Sequence, residues 1–137
     1  VDLNLIVDWF ISVREHFDFD TIVIDNYRSL SVKKPLEAAG FNVIVIYKAR
    51  AYQAGIGLNI QTLFARKQLV WGINPLMNWY TYNVKVERDS FDNIVYGKIE
   101  KFRRKTDGFM AFTHAYWHAS QTIEDVETDF FLEDFWD

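Results

Sequence analysis

Two short β-branched runs, each preceded by a helical pattern, set the kind of fold open to this 137-residue chain. Leu3, Ile6, Val7, Phe10 and Phe17 recur at helical spacing, so residues 3–17 read as an amphipathic helix. Thr21-Ile22-Val23-Ile24-Asp25 follows and has the pattern of a short buried strand. After a turn at Asn26-Tyr27-Arg28, Ser29 or Ser31 can cap a helix that ends at Gly40, since glycine readily takes the left-handed conformation just past a helix. Phe41-Asn42-Val43-Ile44-Val45-Ile46-Tyr47 is then a second strand, parallel to the first. Helix, strand, helix, strand is the rhythm of an α/β sheet with right-handed crossovers.

The remainder continues in shorter pieces. A loop holding Gly55 and Gly57 precedes a helix over 58–67, and Asn74-Pro75 opens another that runs through Trp79. Residues 82–88 and 93–99 alternate as a β-hairpin around Asp89-Ser90-Phe91-Asp92-Asn93, and a last apolar helix spans about 106–119. With 50% hydrophobic and 18% aromatic residues, a chain of this length can bury a core as one domain, residues 1–123, followed by a tail at 124–137. Having no cysteine, it has neither disulfides nor thiolate metal sites. No apolar run reaches membrane-spanning length, and the first residues lack the layout of a signal peptide, so no membrane partner is expected. A start at Val1, already inside a helical pattern, points to a piece of a longer protein.

The net charge of −4 conceals an uneven distribution. Residues 124–137 hold seven acids and no base, which leaves 15 bases against 12 acids over residues 1–123. The excess gathers between Arg28 and Lys67, where seven bases face only Glu37, and again between Lys98 and Lys105. A basic body with an acidic tail suits a nucleic-acid binder whose tail serves another partner, although a solvated surface gives the same pattern.

Two carboxylates stand where metal chemistry is commonly built. Asp25 closes a strand, and Asp107 opens a helix directly behind the basic run Lys98, Lys101, Arg103, Arg104, Lys105. A first-turn carboxylate is ordinarily there for the helix dipole. A strand-end acid and a helix-start acid can also converge on a divalent cation at the top of an α/β sheet. The basic run would hold a DNA backbone without reading sequence, with Arg28, Lys48 and Arg50, beyond the strand ends, as a second set.

Gly72-Ile73-Asn74-Pro75-Leu76-Met77-Asn78-Trp79, Asn83-Val84-Lys85-Val86, Asp89, Asn93-Ile94, Lys98 and Thr106-Asp107-Gly108, in that order, resemble the large terminase subunit of tailed bacteriophages. The upstream aspartate-closed strand, the helix ending near Gly40 and the valine-rich strand are similar to the same family's nuclease domain. The resemblance implies an α/β, RNase H-like fold: a mixed sheet flanked by helices, its opening strands missing, with a β-hairpin before the last helix. It implies an endonuclease cutting concatemeric viral DNA with two Mg²⁺ or Mn²⁺ ions, Asp25 and Asp107 matching the second and third metal-binding acids and the first lying outside this chain. Activity of this piece should therefore be weak.

Implied partners are double-stranded DNA, the portal protein and the small terminase subunit, in the host cytoplasm, and the unpaired sheet edge beside 21–25 invites self-association. The family often has Asp-Pro-Trp where this chain has Asp25-Asn26-Tyr27, and a His near Trp71. A non-catalytic DNA- or portal-binding module and a junction resolvase are the alternatives.

Other motifs are weaker. His114 and His118 share a helical face but lack the adjacent Glu of a zinc protease. Trp9, Trp71, Trp79 and Trp117 read as core. Gly55-Ile56-Gly57 lacks nucleotide-loop spacing, and there is no Walker motif. Phe130, Phe131, Leu132, Phe135 and Trp136 among the tail acids suit docking on a protein or folding back on the core.

Overall fold

A computed structural model describes the backbone of residues 2–27 and 29–136, and their side chains except those of residues 49, 50 and 122–136. The chain divides into two compact units, Val1–Tyr47 and Lys48–Asp137.

The first unit is the expected helix–strand–helix–strand. Asp2 caps α1 (Leu3–Arg14) by accepting the Asn4 N–H at 2.9 Å. β1 (Thr21–Asp25) and β2 (Asn42–Ile46) pair in parallel, Thr21 opposite Asn42 and Asp25 opposite Ile46. Between them α2 (Ser29–Ala38) ends as anticipated at Gly40, whose φ of 94° lets the Phe41 N–H reach back to the Leu36 carbonyl at 3.1 Å. Ile22, Leu36, Phe41 and Val43 form the core. Arg14 closes it from outside, its guanidinium 3.5 Å from the Phe41 ring centroid and donating to the Ala39 and Gly40 carbonyls at the end of α2.

In the second unit α3 (Ala49–Ala65) is longer than the sequence pattern suggests: Gly55 and Gly57 lie inside the helix rather than in a loop. The reason is tertiary. A Cβ at Gly57 would come within 2.8 Å of the Ile94 Cβ, so glycine is what lets this helix lie against the hairpin. α4 (Pro75–Tyr82) has Asn74 as its cap, accepting from the Met77 N–H at 3.0 Å. β3 (Val84–Arg88) and β4 (Ile94–Lys98) form the antiparallel hairpin, and Asp89 Oδ1 ties its turn by accepting from the Phe91 and Asn93 amides. α5 (Asp107–Trp136) continues well beyond 119.

The four strands do not make one mixed sheet. They pair as two separate two-stranded sheets. On the hairpin side the cause is visible: the edge of β4 away from β3 is covered by α3, with Gln53 Oε1 accepting the Tyr96 N–H at 3.3 Å. Ile56, Ile60, Ile94, Tyr96 and Phe109 fill the core beneath. Trp9 and Trp79, expected inside, are exposed, while Trp71 and Trp117 are half-buried. Their large rings leave part of the indole at the surface, as is common for tryptophan.

Candidate functional site

Asp25 is the exposed last residue of β1. Its Oδ1 accepts the Tyr27 N–H at 3.1 Å, a turn that fixes the carboxylate at the carboxyl end of the parallel pair. In open α/β sheets that end is where ligands are taken.

Asp107 is the first residue of α5 and is also exposed, its charge favoured by the helix dipole. It stands between two anchored neighbours. Thr106 is buried, and its carbonyl receives the Met110 N–H at 2.9 Å. Gly108 lies so close to α4 that a Cβ there would meet Tyr80 Cδ2 at 2.4 Å. The acid at this helix start is therefore placed by tight packing of α4 on α5.

The basic run ahead of Asp107 is fully at the surface: Lys98 ends β4, and Lys101, Arg103, Arg104 and Lys105 are exposed along the connection to α5. Arg104 reaches Glu100 only at 4.0 Å, and Lys101 lies 5.7 Å from the Phe102 ring centroid, so both cations stay largely hydrated. Lys48 occupies the cap position of α3, exposed and making no capping bond with its side chain. Arg28 and the side chain of Arg50 lie outside the described residues, as do the side chains of the tail acids and aromatics.

Among the described residues no three His, Cys, Asp or Glu side chains gather as a metal-holding group. His114 is buried on α5 with Nδ1 against the Met110 carbonyl, which makes it a core histidine. An apolar cleft of about 190 Å³ opens between α3, α4 and the hairpin, lined by Gln61, Thr81, Tyr96 and apolar side chains. Lacking a charged side chain, it does not suit a phosphate.

Sequence reasoning put Asp25 at a strand end and Asp107 at a helix start, as found, but missed what holds Asp107. Asn83, Gly108 and Tyr80 carry that work. Only Asn83, a polar residue directly ahead of an alternating strand, offered any local signal.

No family model matches this sequence, and no curated protein matches it. Two solved structures share its fold. The crystal structure of the large terminase nuclease from the thermophilic phage G20c superposes with a TM-score of 0.66 at 17% identity, over 85% of this chain and 62% of that one. The crystal structure of the HK97 bacteriophage large terminase gives a TM-score of 0.71 at 17% identity, over 86% of this chain and 25% of that one. The chain thus has the fold found in phage large terminase nucleases, and spans less than two thirds of either protein. Among the described residues no helix is long and apolar enough to cross a membrane.

Proposed function

We propose that the chain is the C-terminal part of the nuclease domain of a tailed-phage large terminase, an RNase H-like, metal-dependent endonuclease that cuts concatemeric viral DNA during packaging. The carrying observation is the fold match to two terminases at TM-scores of 0.66 and 0.71, with Asp25 at a strand end and Asp107 at a helix start.

Two exposed carboxylates offer the hard oxygen donors that Mg²⁺ and Mn²⁺ prefer. Magnesium in particular is often held by one or two carboxylates, with water and substrate phosphate completing its shell. The bound ions would supply an activated water and relief of charge on the leaving oxygen. The chain's own residues do the rest. Asp25, steadied by the Tyr27 amide, and Asp107, steadied by its buried neighbour Thr106, present the ligand oxygens. Lys98, Lys101, Arg103, Arg104 and Lys105 hold the phosphate backbone, and Arg28, Lys48 and Arg50 form a second set. The portal protein, the small terminase subunit and a second copy paired along β1 are the proposed protein partners, in the host cytoplasm.

A non-catalytic module that docks DNA or the portal is the second reading, resting on the exposed cations from Lys98 to Lys105. Manganese-dependent cleavage of linear duplex DNA separates the two. The nuclease reading expects weak cutting that falls to background in both Asp25→Asn and Asp107→Asn. Binding without cutting selects the docking module. A marked preference for branched DNA selects a junction resolvase.

A further inference from the structure

We infer that Asn83, at the bend between α4 and β3, is a positioning residue that anchors the basic segment 99–105 at both ends and so sets the start of α5 at Asp107; this rests on the nuclease reading above. Every side chain from Lys98 to Lys105 is exposed, including Ile99 and Phe102, so the segment has no core contact of its own to fix its path. Asn83 supplies the fixation. Its side-chain Nδ2 donates to the Lys105 carbonyl at 2.9 Å, and its backbone carbonyl accepts the Ile99 N–H at 3.0 Å. Its own N–H donates to the Tyr80 carbonyl at 3.3 Å, tying the clamp to the helix whose ring packs on Gly108.

The chemistry explains the residue type. Asn83 is only 3% exposed, so its amide must be satisfied inside the protein, and the Lys105 carbonyl needs a donor. Aspartate has the same shape but no donor and would set a carboxylate against that carbonyl. Leucine fills the volume without a bond. Two residues beyond Lys105 stands Asp107, so a loosened carbonyl is transmitted directly to the carboxylate and to the four cations from Lys101 to Lys105.

The test uses the whole chain as wild type, Asn83→Leu and Asn83→Asp, with hydrogen exchange and duplex-DNA binding measured across a salt series. Among folded molecules of either variant, the Met110 amide, which reports the first turn of α5, should exchange roughly tenfold faster. The amide of Ile60 in α3 should be unchanged. The slope of log affinity against log salt should fall by about one to two, because fewer cations reach phosphate together. That slope is read on folded protein, so a loss of stability alone does not move it.

Unchanged Met110 exchange, or equal acceleration at Ile60, overturns the anchoring role. An unchanged salt slope with a DNA-binding wild type overturns only the role of Asn83. A wild-type chain that binds no DNA overturns the nuclease reading and the positioning role with it. If Asn83→Leu does not fold, Asn83→Asp carries the same outcomes.

Discussion

The two units hold their candidate acids by different means. In residues 1–47 the core is assembled from elements that follow one another along the chain, and Ser29 is the one buried polar residue among those described. Asp25 is placed by simple register: it is where β1 stops. In residues 48–137 the core is crossed by buried polar groups, among them Gln53, Asn83 and Thr113, each tied to a distant segment or to a neighbouring turn. Asp107 depends on those ties. A strand-end acid is thus robust to substitutions elsewhere in its unit, whereas the helix-start acid depends on the packing of α4 against Gly108 and on the Asn83 bend.

Replacing Phe109 with alanine should reveal the contrast most strongly. Its ring is buried against Tyr96, Phe64 and Phe112, and the loss should destabilise the second unit by about 3–5 kcal/mol. Hydrogen exchange should show Ile60 and Tyr96 opening while Ile22 and Val43 keep their protection. Equal opening of both sets would mean that the units do not unfold separately.

Gly57→Ala is a smaller probe of the same unit. The new methyl group meets Ile94 Cβ at 2.8 Å and its carbonyl at 2.9 Å, so α3 must retreat from the hairpin, at about 1–3 kcal/mol. Chemical denaturation measures it; a neutral substitution would show that the close approach of helix and strand is unimportant.

The smallest expected effect is pH dependence. Burial raises the Tyr96 phenol above its ordinary value, partly opposed by the hydrogen bond from Gln61. A raised folded-state value means the contribution is complete below the unfolded phenol's range, near pH 10, and is lost as pH rises through the folded one. Stability should therefore fall at strongly alkaline pH, with less fall in Tyr96→Phe. An identical fall in both would assign it to other groups.

The same contrast explains what could be read from the sequence. β1 and β2 are continuous β-branched runs, and Gly40 marks a helix end by local geometry, so the first unit follows from neighbours in the chain. The hairpin was equally legible, from alternation and its Asp89 turn. Gly55 and Gly57 misled, because glycine signals a loop locally, whereas Gly57 is required by Ile94, far along the chain. Separate sheets were also illegible, since nothing near Tyr96 announces that Gln53 will cover its strand edge. As for the candidate site, element ends were legible for Asp25, where β1 stops, and for Asp107, where α5 starts. The Asn83 clamp is a long-range hydrogen bond with no periodic signature.

What most needs testing is the proposal that Asp25 and Asp107 are each ligands of a divalent metal. Titrating the whole chain with Mn²⁺ while following backbone amide signals by NMR tests it most directly, because a bound paramagnetic ion broadens only its surroundings. Mn²⁺-dependent broadening is expected around each acid, removed around Asp25 in Asp25→Asn and around Asp107 in Asp107→Asn. Broadening at one acid alone, or at neither, would contradict it.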